Sequence, residues 1–177
     1  RDFILTELRR KRHATFVDVG SHFGYYALQA ATISGTRILA IEALPQNLRV
    51  IEENLDLNRL VHYSFRLVNV AVSNENGHAT LFFDSQKLYK GSFFSAWSGS
   101  ENHVTVQTAR LDDLLEAEGF ELVDVMKIDI EGAETLAIQG MQRYLREQRI
   151  SNLLVEVNDA VVTAGSSAET LYETLSR

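Results

Sequence analysis

Between residues 15 and 72 the chain alternates short β-rich runs with stretches of helical periodicity. This alternation limits the possible folds more than any other feature. Residues 15–19 (TFVDV) are β-rich, residues 23–33 are apolar with helix formers, and residues 36–42 (TRILAIE) are again strand-like. Residues 46–58 carry Leu48, Ile51 and Leu55 at helical spacing with Asn58 as a stop, and residues 63–72 read as a third strand. Such a β-α-β-α-β series is the signature of a parallel sheet wrapped by helices. The alternation resumes later in the chain. Residues 123–130 (VDVMKIDI) form a strand, and residues 133–146 a helix with Leu136, Ala137, Met141, Tyr144 and Leu145 on one face. Residues 152–157 (NLLVEV) form another strand and residues 167–176 begin a further helix. The expected fold class is α/β, a doubly wound and mostly parallel sheet with core strand order 3-2-1-4-5.

The middle of the chain breaks the pattern. Residues 78–83 (HATLFF) follow Asn76-Gly77 and look like one arm of a hairpin, and residues 103–108 (HVTVQT) alternate as a strand. A β-hairpin insertion between the third and fourth core strands is therefore expected. Residues 84–102, rich in Gly, Ser and aromatics (Phe93, Phe94 and Trp97), read as a loop or lid. The segment Gly91-Ser-Phe-Phe-Ser95 is either an acceptor contact or a plain surface loop. Residues 111–118 form a short helix whose Asp112 and Asp113 suit helix-terminus electrostatics better than a metal. No repeat appears, and the single proline, Pro45, marks no linker, so residues 1–177 are expected to be one domain.

Composition excludes several classes of chemistry. The chain has no cysteine, which removes disulfides, thiolate metal sites and a cysteine nucleophile. His13, His62, His78 and His103 are scattered without ligand spacing, and no G-x-S-x-G elbow occurs, so no metal is expected. The net charge of −7 divides into +3 over residues 1–13 and −10 elsewhere, and this balance argues against nucleic acid as a partner. The leading segment reads as an amphipathic helix ending in a basic run, with cations suited to a helix C-terminus. No apolar run is long enough for a membrane span. The first residue is Arg1, so the chain is expected to be trimmed, with room for an upstream targeting segment; a cytoplasmic location is expected.

Four constellations carry chemistry. The first is Asp18-Val-Gly20-Ser21-His22-Phe23-Gly24, placed where a strand hands over to a helix. A dinucleotide loop wants G-x-G-x-x-G around a pyrophosphate, but Asp18 stands in place of the first glycine. A carboxylate repels phosphate and suits a cation or hydroxyls. That favours S-adenosylmethionine, with its ammonium, sulfonium and ribose, over NAD. The second is Glu42, closing the second strand 24 residues after Asp18, where an acidic residue can accept from ribose hydroxyls. The third is Asn69, near the end of the third strand; its amide either pairs with an adenine edge or satisfies local backbone. The fourth is MKIDIEGAE, residues 126–134. Strand alternation puts Lys127, Asp129 and Glu131 on one side. A lysine in a buried strand needs a carboxylate partner, Asp129 or another. Asp129 or Glu131 can orient the methyl donor or deprotonate an acceptor hydroxyl, whereas Glu134 fits a helix N-terminus.

FVDVGSHFGYYAL, IEALPQNLRVIEENLDLN, VNVAVSNENGHATLF, ARLDDLL, VMKIDIEGAETLAIQGM and LLVEV occur in one order, and this series resembles the FkbM-family methyltransferases. The resemblance runs from about Phe16 to Val157. It implies a class I, Rossmann-like, S-adenosylmethionine-dependent enzyme that methylates hydroxyl oxygens, with a sugar or polyketide-like small molecule as acceptor. It implies that Asp18, Gly20, Gly24 and Glu42 match the family's cofactor positions and that Lys127, Asp129 and Glu131 belong to its central acidic motif; Ser21, His22, Tyr25, Ala43, Asn47, Asn69, Ala71 and Asp129 are expected to bind the cofactor with them, and Lys127, Asp129 and Glu131 are expected to be catalytic. Gly132 and Glu134 complete its acidic motif. Ser21-His22 replaces the family's usual Ala-Asn, and Glu42-Ala-Leu-Pro45 has lost one proline of E-P-x-P. The two strands with which class I methyltransferases usually end are expected to be missing. The alternatives are a nucleotide- or NAD-binding oxidoreductase and a non-catalytic methyltransferase-like module.

Overall fold

A computed structural model describes residues 2–60, 64–84, 90–94, 102–164 and 166–175. In chain order the elements are α1 (Asp2–Arg9), β1 (Thr15–Val19), α2 (Tyr25–Ala31), β2 (Arg37–Glu42), α3 (Pro45–Leu57), β3 (Phe65–Asn69), β4 (Ala71–Val72), β5 (Gly77–Asp84), β6 (Lys90–Ser92) and β7 (His103–Ala109). They continue with α4 (Leu111–Ala117), β8 (Val125–Ile128), α5 (Glu134–Gln139), α6 (Gln142–Arg146), β9 (Leu153–Val155), α7 (Asp159–Thr163) and α8 (Ala168–Leu175).

Five strands form a parallel sheet in the order β3-β2-β1-β8-β9. This is the order expected for the doubly wound sheet. A strand at the centre of such a sheet is covered on both faces and must be apolar almost throughout. Accordingly β1 feeds two cores. Val17 and Val19 pack with Leu39, Ile41, Met126 and Tyr144 on one face. Phe16 packs with Ile38, Ala40 and Val125 on the other, where Ile4 and Leu8 of α1 close the layer. Asp18 is the one charged residue of β1, and it is fully buried.

The insertion is larger than a hairpin. It forms a second sheet, β4-β7-β5-β6, in which β5 pairs antiparallel with β7 and β6 while β4 runs parallel to β7. The Asn76-Gly77 step does not fold β5 back onto β4. Instead the Asn76 side chain accepts from Arg110 N (2.8 Å) and donates to Asp113 (2.8 Å), tying the step to the start of α4. Phe93 and Phe94 of the expected lid are described; Trp97 and most of residues 84–102 lie outside the described residues.

Two further expectations change. The helix expected over residues 133–146 is two short helices, α5 and α6, separated at Gly140-Met141. The break has a tertiary cause. A Cβ on Gly140 would lie 2.3 Å from Ser73 O, and Gly140 O accepts from Asp112 N (2.9 Å). The leading helix ends at Arg9, so Lys11 and Arg12 lie beyond it, and Lys11 pairs with Asp124 rather than with the helix terminus. Among the described residues no helix is long and apolar enough to cross a membrane.

Asp112 serves a helix terminus, but not its own. Its buried carboxylate accepts from Arg143 N (3.0 Å) and Tyr144 N (3.1 Å), capping α6 from a different helix. Replacing it by Ala leaves those amides unpaired, so Asp112→Ala is expected to cost about 1–3 kcal/mol in urea unfolding. Asp113→Ala, at an exposed neighbouring position, is expected to cost less than about 0.5 kcal/mol. Equal losses from the two substitutions would refute the cap.

Candidate active site

The β1–α2 turn is built by close approach. Gly20 has φ +78°, and a Cβ there would fall 1.9 Å from Asp129 O at the end of β8. No side chain can occupy that position while the two strand ends meet. Gly20 N and Ser21 N both donate to Ile41 O (2.9 and 3.0 Å), and Ser21 Oγ donates to Asp18 O (2.8 Å). His22 also lies in the left-handed region (φ +53°), where His and Asn are better tolerated than most residues. Gly24, with φ +82°, opens α2. A Cβ there would meet Leu28 and Ile51 at 3.1–3.2 Å, so the element that Gly24 admits is α3 rather than the strand.

Glu42 ends β2 and gathers donors. Its Oε2 accepts from His22 N (2.8 Å); its Oε1 accepts from Leu44 N (2.9 Å) and Asn47 Nδ2 (3.2 Å). Burial nevertheless dominates and pushes the carboxyl up to about 7, against the pull of these hydrogen bonds. Asn69 stands behind this loop. Its Nδ2 donates to Glu42 O and Ala43 O (both 2.9 Å), which is the local-backbone role and leaves the side chain outside the cavity wall.

The acidic motif divides into three roles. Lys127 lies 3.2 Å from Asp129 and 3.6 Å from Asp18, with the Tyr26 ring centroid at 5.0 Å. Burial depresses the ammonium, but the two carboxylates outweigh it and hold the group above its ordinary value. Burial pushes Asp18 up in turn, against the attraction of Lys127. Beyond β8 the chain turns sharply. Glu131 (φ +50°) and Gly132 (φ +105°) are both left-handed, so Glu131 does not continue the strand alternation with Lys127 and Asp129. Glu134 stabilises the turn, its carboxylate accepting from Ile130 N and Gly132 N (both 3.0 Å). Ser92, buried in β6, donates to Glu131 O (2.7 Å) and fastens the inserted sheet over the same turn.

These pieces surround a cavity of about 280 Å³ at the carboxyl ends of β1, β2 and β8. Gly20, His22, Glu42, Ala43 and Asn47 line it on one side, and Asp129, Ile130 and Glu131 on the other. Val70, Ala71, Leu81, Gly91 and Phe93 form an apolar wall, so Gly91 and Phe93 belong to the cavity and not to a plain surface loop. Among the described residues the wall holds three carboxylates and neither lysine nor arginine. Of the expected site residues, Asp18, Ser21, Gly24 and Lys127 lie beneath the wall as supports. Tyr25 is 57% exposed on the outside and stacks edge-on against Tyr26.

Sequence reasoning missed Glu156. It follows β9 directly, and its amide donates to Ile128 O (2.9 Å) one step past the Ile128–Val155 register pair. This places it beside Asp129 on the same face of the sheet. A hydrogen bond with Asp129, then partial burial, push its carboxyl up to about 7. The strand order 3-2-1-4-5 already brings KID beside VEV, and that was the available signal.

Solved structures place the fold in the class I, Rossmann-like methyltransferases. The methyltransferase FkbM from Methylobacillus flagellatus KT superposes with TM-score 0.55 at 16% identity, covering 78% of this chain and 32% of its own. A precorrin-6y C5,15-methyltransferase from Geobacter metallireducens GS-15 gives 0.53 at 19% identity, covering 98% and 68%. The METTL16 MTase domain gives 0.56 at 14% identity, covering 98% and 56%. Likeness at such identities establishes the fold alone. The family comes from sequence: residues 18–175 match the Methyltransferase FkbM domain, and the chain belongs to that family of S-adenosylmethionine-dependent methyltransferases. It spans about a third of the length of the Methylobacillus FkbM protein. No curated protein matches it.

The burial of Glu42 has a measurable consequence. Its folded value, about 7, lies above the ordinary 4.5, so the protonated form is favoured by folding. The contribution is complete below the ordinary value and is lost as pH rises through the folded one. The gap amounts to on the order of 3 kcal/mol. Urea unfolding over this pH window should show wild-type protein losing about that much relative to Glu42→Gln, which has no proton to lose. A difference between the two that does not vary with pH would contradict this account.

Proposed function

We propose that the domain transfers a methyl group from S-adenosylmethionine to a hydroxyl oxygen of a small molecule, such as a sugar or another natural product. The observation that carries this reading is the charge of the cavity wall. Three carboxylates without a lysine or arginine suit a ligand bearing an ammonium and a sulfonium, and they disfavour the pyrophosphate of a nicotinamide dinucleotide. The apolar wall and the volume, near the lower end of the roughly 300–1,000 Å³ typical of small-molecule sites, fit an adenosine-sized group.

The residues divide the task. Glu42 would accept from the ribose hydroxyls, in a loop that His22, Asn47 and Asn69 hold in place. Gly20, Ala43 and Ala71 give the cofactor close backbone and small side chains. Bound S-adenosylmethionine would supply an electrophilic methyl carbon. Asp129, paired with Lys127, faces the cavity and can accept a proton from an acceptor hydroxyl. Glu131 helps to set the acceptor's place, and much of the rate would come from orientation.

Calorimetry on wild-type protein is expected to show binding of S-adenosylhomocysteine and none of NAD. Glu42→Ala is expected to weaken S-adenosylhomocysteine at least tenfold, about 1.4 kcal/mol. Unchanged affinity in that variant would remove Glu42 from the cofactor site, and binding of NAD in place of S-adenosylhomocysteine would overturn the reading.

A further inference from the structure

One carboxyl beside the cavity has no part in the fold or in the cofactor reading. Glu156 ends the edge strand β9, is exposed to solvent, and stands next to Asp129 across the β8–β9 pair. Asp129 faces the cavity on its other side. Two carboxyl groups side by side on neighbouring strands cannot both ionise cheaply, and one of them retains a proton between the two. Lys127, 3.2 Å from Asp129, decides which partner carries the negative charge. Glu156, the partner without a cation at its side, is the one that holds the proton. We propose that Glu156 is a positioning residue of this site: it shares one proton with Asp129, so that Asp129 can take the proton of an acceptor hydroxyl while Glu156 hands its own to bulk water.

The inference rests on the methyl-transfer reading for its chemical role. In that reaction the acceptor oxygen forms a bond to the methyl carbon, the carbon–sulfur bond breaks with its electron pair left on sulfur, and the hydroxyl proton goes to Asp129. Release of the Glu156 proton to water then restores the one-proton state. Exposure of Glu156 gives the proton a more open route to bulk water than Asp129, whose side chain is 26% exposed and faces the cavity.

The charged groups around the pair all bear on its titration. Lys127 on β8 and Asp18 on β1 lie beneath it, with Tyr26 of α2 against Lys127. Glu131 and Glu134 follow on the turn after β8, and both are acidic. One cation among these carboxylates leaves room for a retained proton. The value of about 7 for Glu156, set first by Asp129, agrees with that geometry.

Carbon-13 NMR titration of carboxyl-labelled, cofactor-free protein tests the pair without an acceptor. Wild-type protein should show two carboxyls with midpoints near 7, those of Glu42 and Glu156, and the Glu156 midpoint should be missing in Glu156→Gln. In Asp129→Asn that midpoint should fall by at least about one pH unit, because its largest cause is gone. A buried structural role for Glu156 would not produce this dependence on Asp129. Glu156→Gln should bind S-adenosylhomocysteine within twofold of wild type by calorimetry, which also reports that the variant is folded. Wild-type protein with no carboxyl besides Glu42 titrating above about pH 6, or persistence of both titrations in Glu156→Gln, would overturn the proposal. A tenfold loss of S-adenosylhomocysteine affinity in Glu156→Gln would overturn it too, by moving Glu156 into the cofactor site. A shared proton in wild-type protein that binds no S-adenosylhomocysteine would overturn the methyl-transfer reading, and the relay with it, while the pair itself stood.

Discussion

An ammonium buried between parallel strands loses its hydration, and Lys127 recovers part of the loss from carboxylates on two different elements. Asp18 comes from the central strand β1 and Asp129 from the end of β8. Removing one member of such a buried group leaves a charge without compensation, typically at a cost of about 3–5 kcal/mol. The cluster therefore constrains the sheet as well as the site. β1 and β8 must keep the register that pairs Asp18 with Lys127, and this register brings Gly20 against Asp129 O. The glycine in the β1–α2 turn follows from that contact. So does the position of His22, whose amide then reaches Glu42. A charge pair beneath the cavity thus fixes the backbone that forms its floor.

The inserted sheet completes what the parallel sheet leaves open. The carboxyl ends of β1, β2 and β8 form a floor with acidic edges but no apolar cover. Leu81 from β5 and Gly91 from β6 provide that cover, together with Phe93 just after β6, and Ser92 bonds to the backbone of Glu131 to hold it down. The absence of a side chain at Gly91 matters here, because a Cβ would press on Leu81 at 2.9 Å. The segment that interrupts the α/β alternation is thus the one that turns a sheet edge into an enclosed site.

Much of this was legible because it is local or follows from topology. The β-α-β alternation was enough for a parallel sheet, the order 3-2-1-4-5 is one of the usual doubly wound orders, and a lysine in an apolar strand announced its need for a carboxylate partner. Features set by long-range contact were not legible. Periodicity runs through Gly140 without a sign of the break, which comes from Ser73 and Asp112, far away in sequence. Asn69 offered two roles of equal weight, and only its distances to Glu42 O and Ala43 O assign its donor to the backbone. Asp18 sits in the most diagnostic motif, yet it acts through Lys127 and not on the cavity surface. Glu156 went unnoticed because it stands alone in an otherwise apolar strand, and its meaning depends on the register with β8.

The acidity of the site also explains how cofactor and fold would be linked. Glu42, Asp129 and Glu131 line one cavity, with Asp18 and Glu156 close to Asp129, and Lys127 is the cation placed among them. Glu42 and Glu156 both come to titrate about 7 rather than in the ordinary carboxylate range. Their environments differ, however. Glu42 is enclosed and raised chiefly by burial, whereas Glu156 is open to water and raised chiefly by its neighbour. A cation entering the cavity would relieve the repulsion at both ends. Anything that binds the folded state alone also stabilises it by mass action. On the methyl-transfer reading a neutral thioether would replace the sulfonium while the ammonium stays, so part of the repulsion would return as the product forms. On that reading the same carboxylates that favour the charged donor would hold the product, which has lost one positive charge, less tightly.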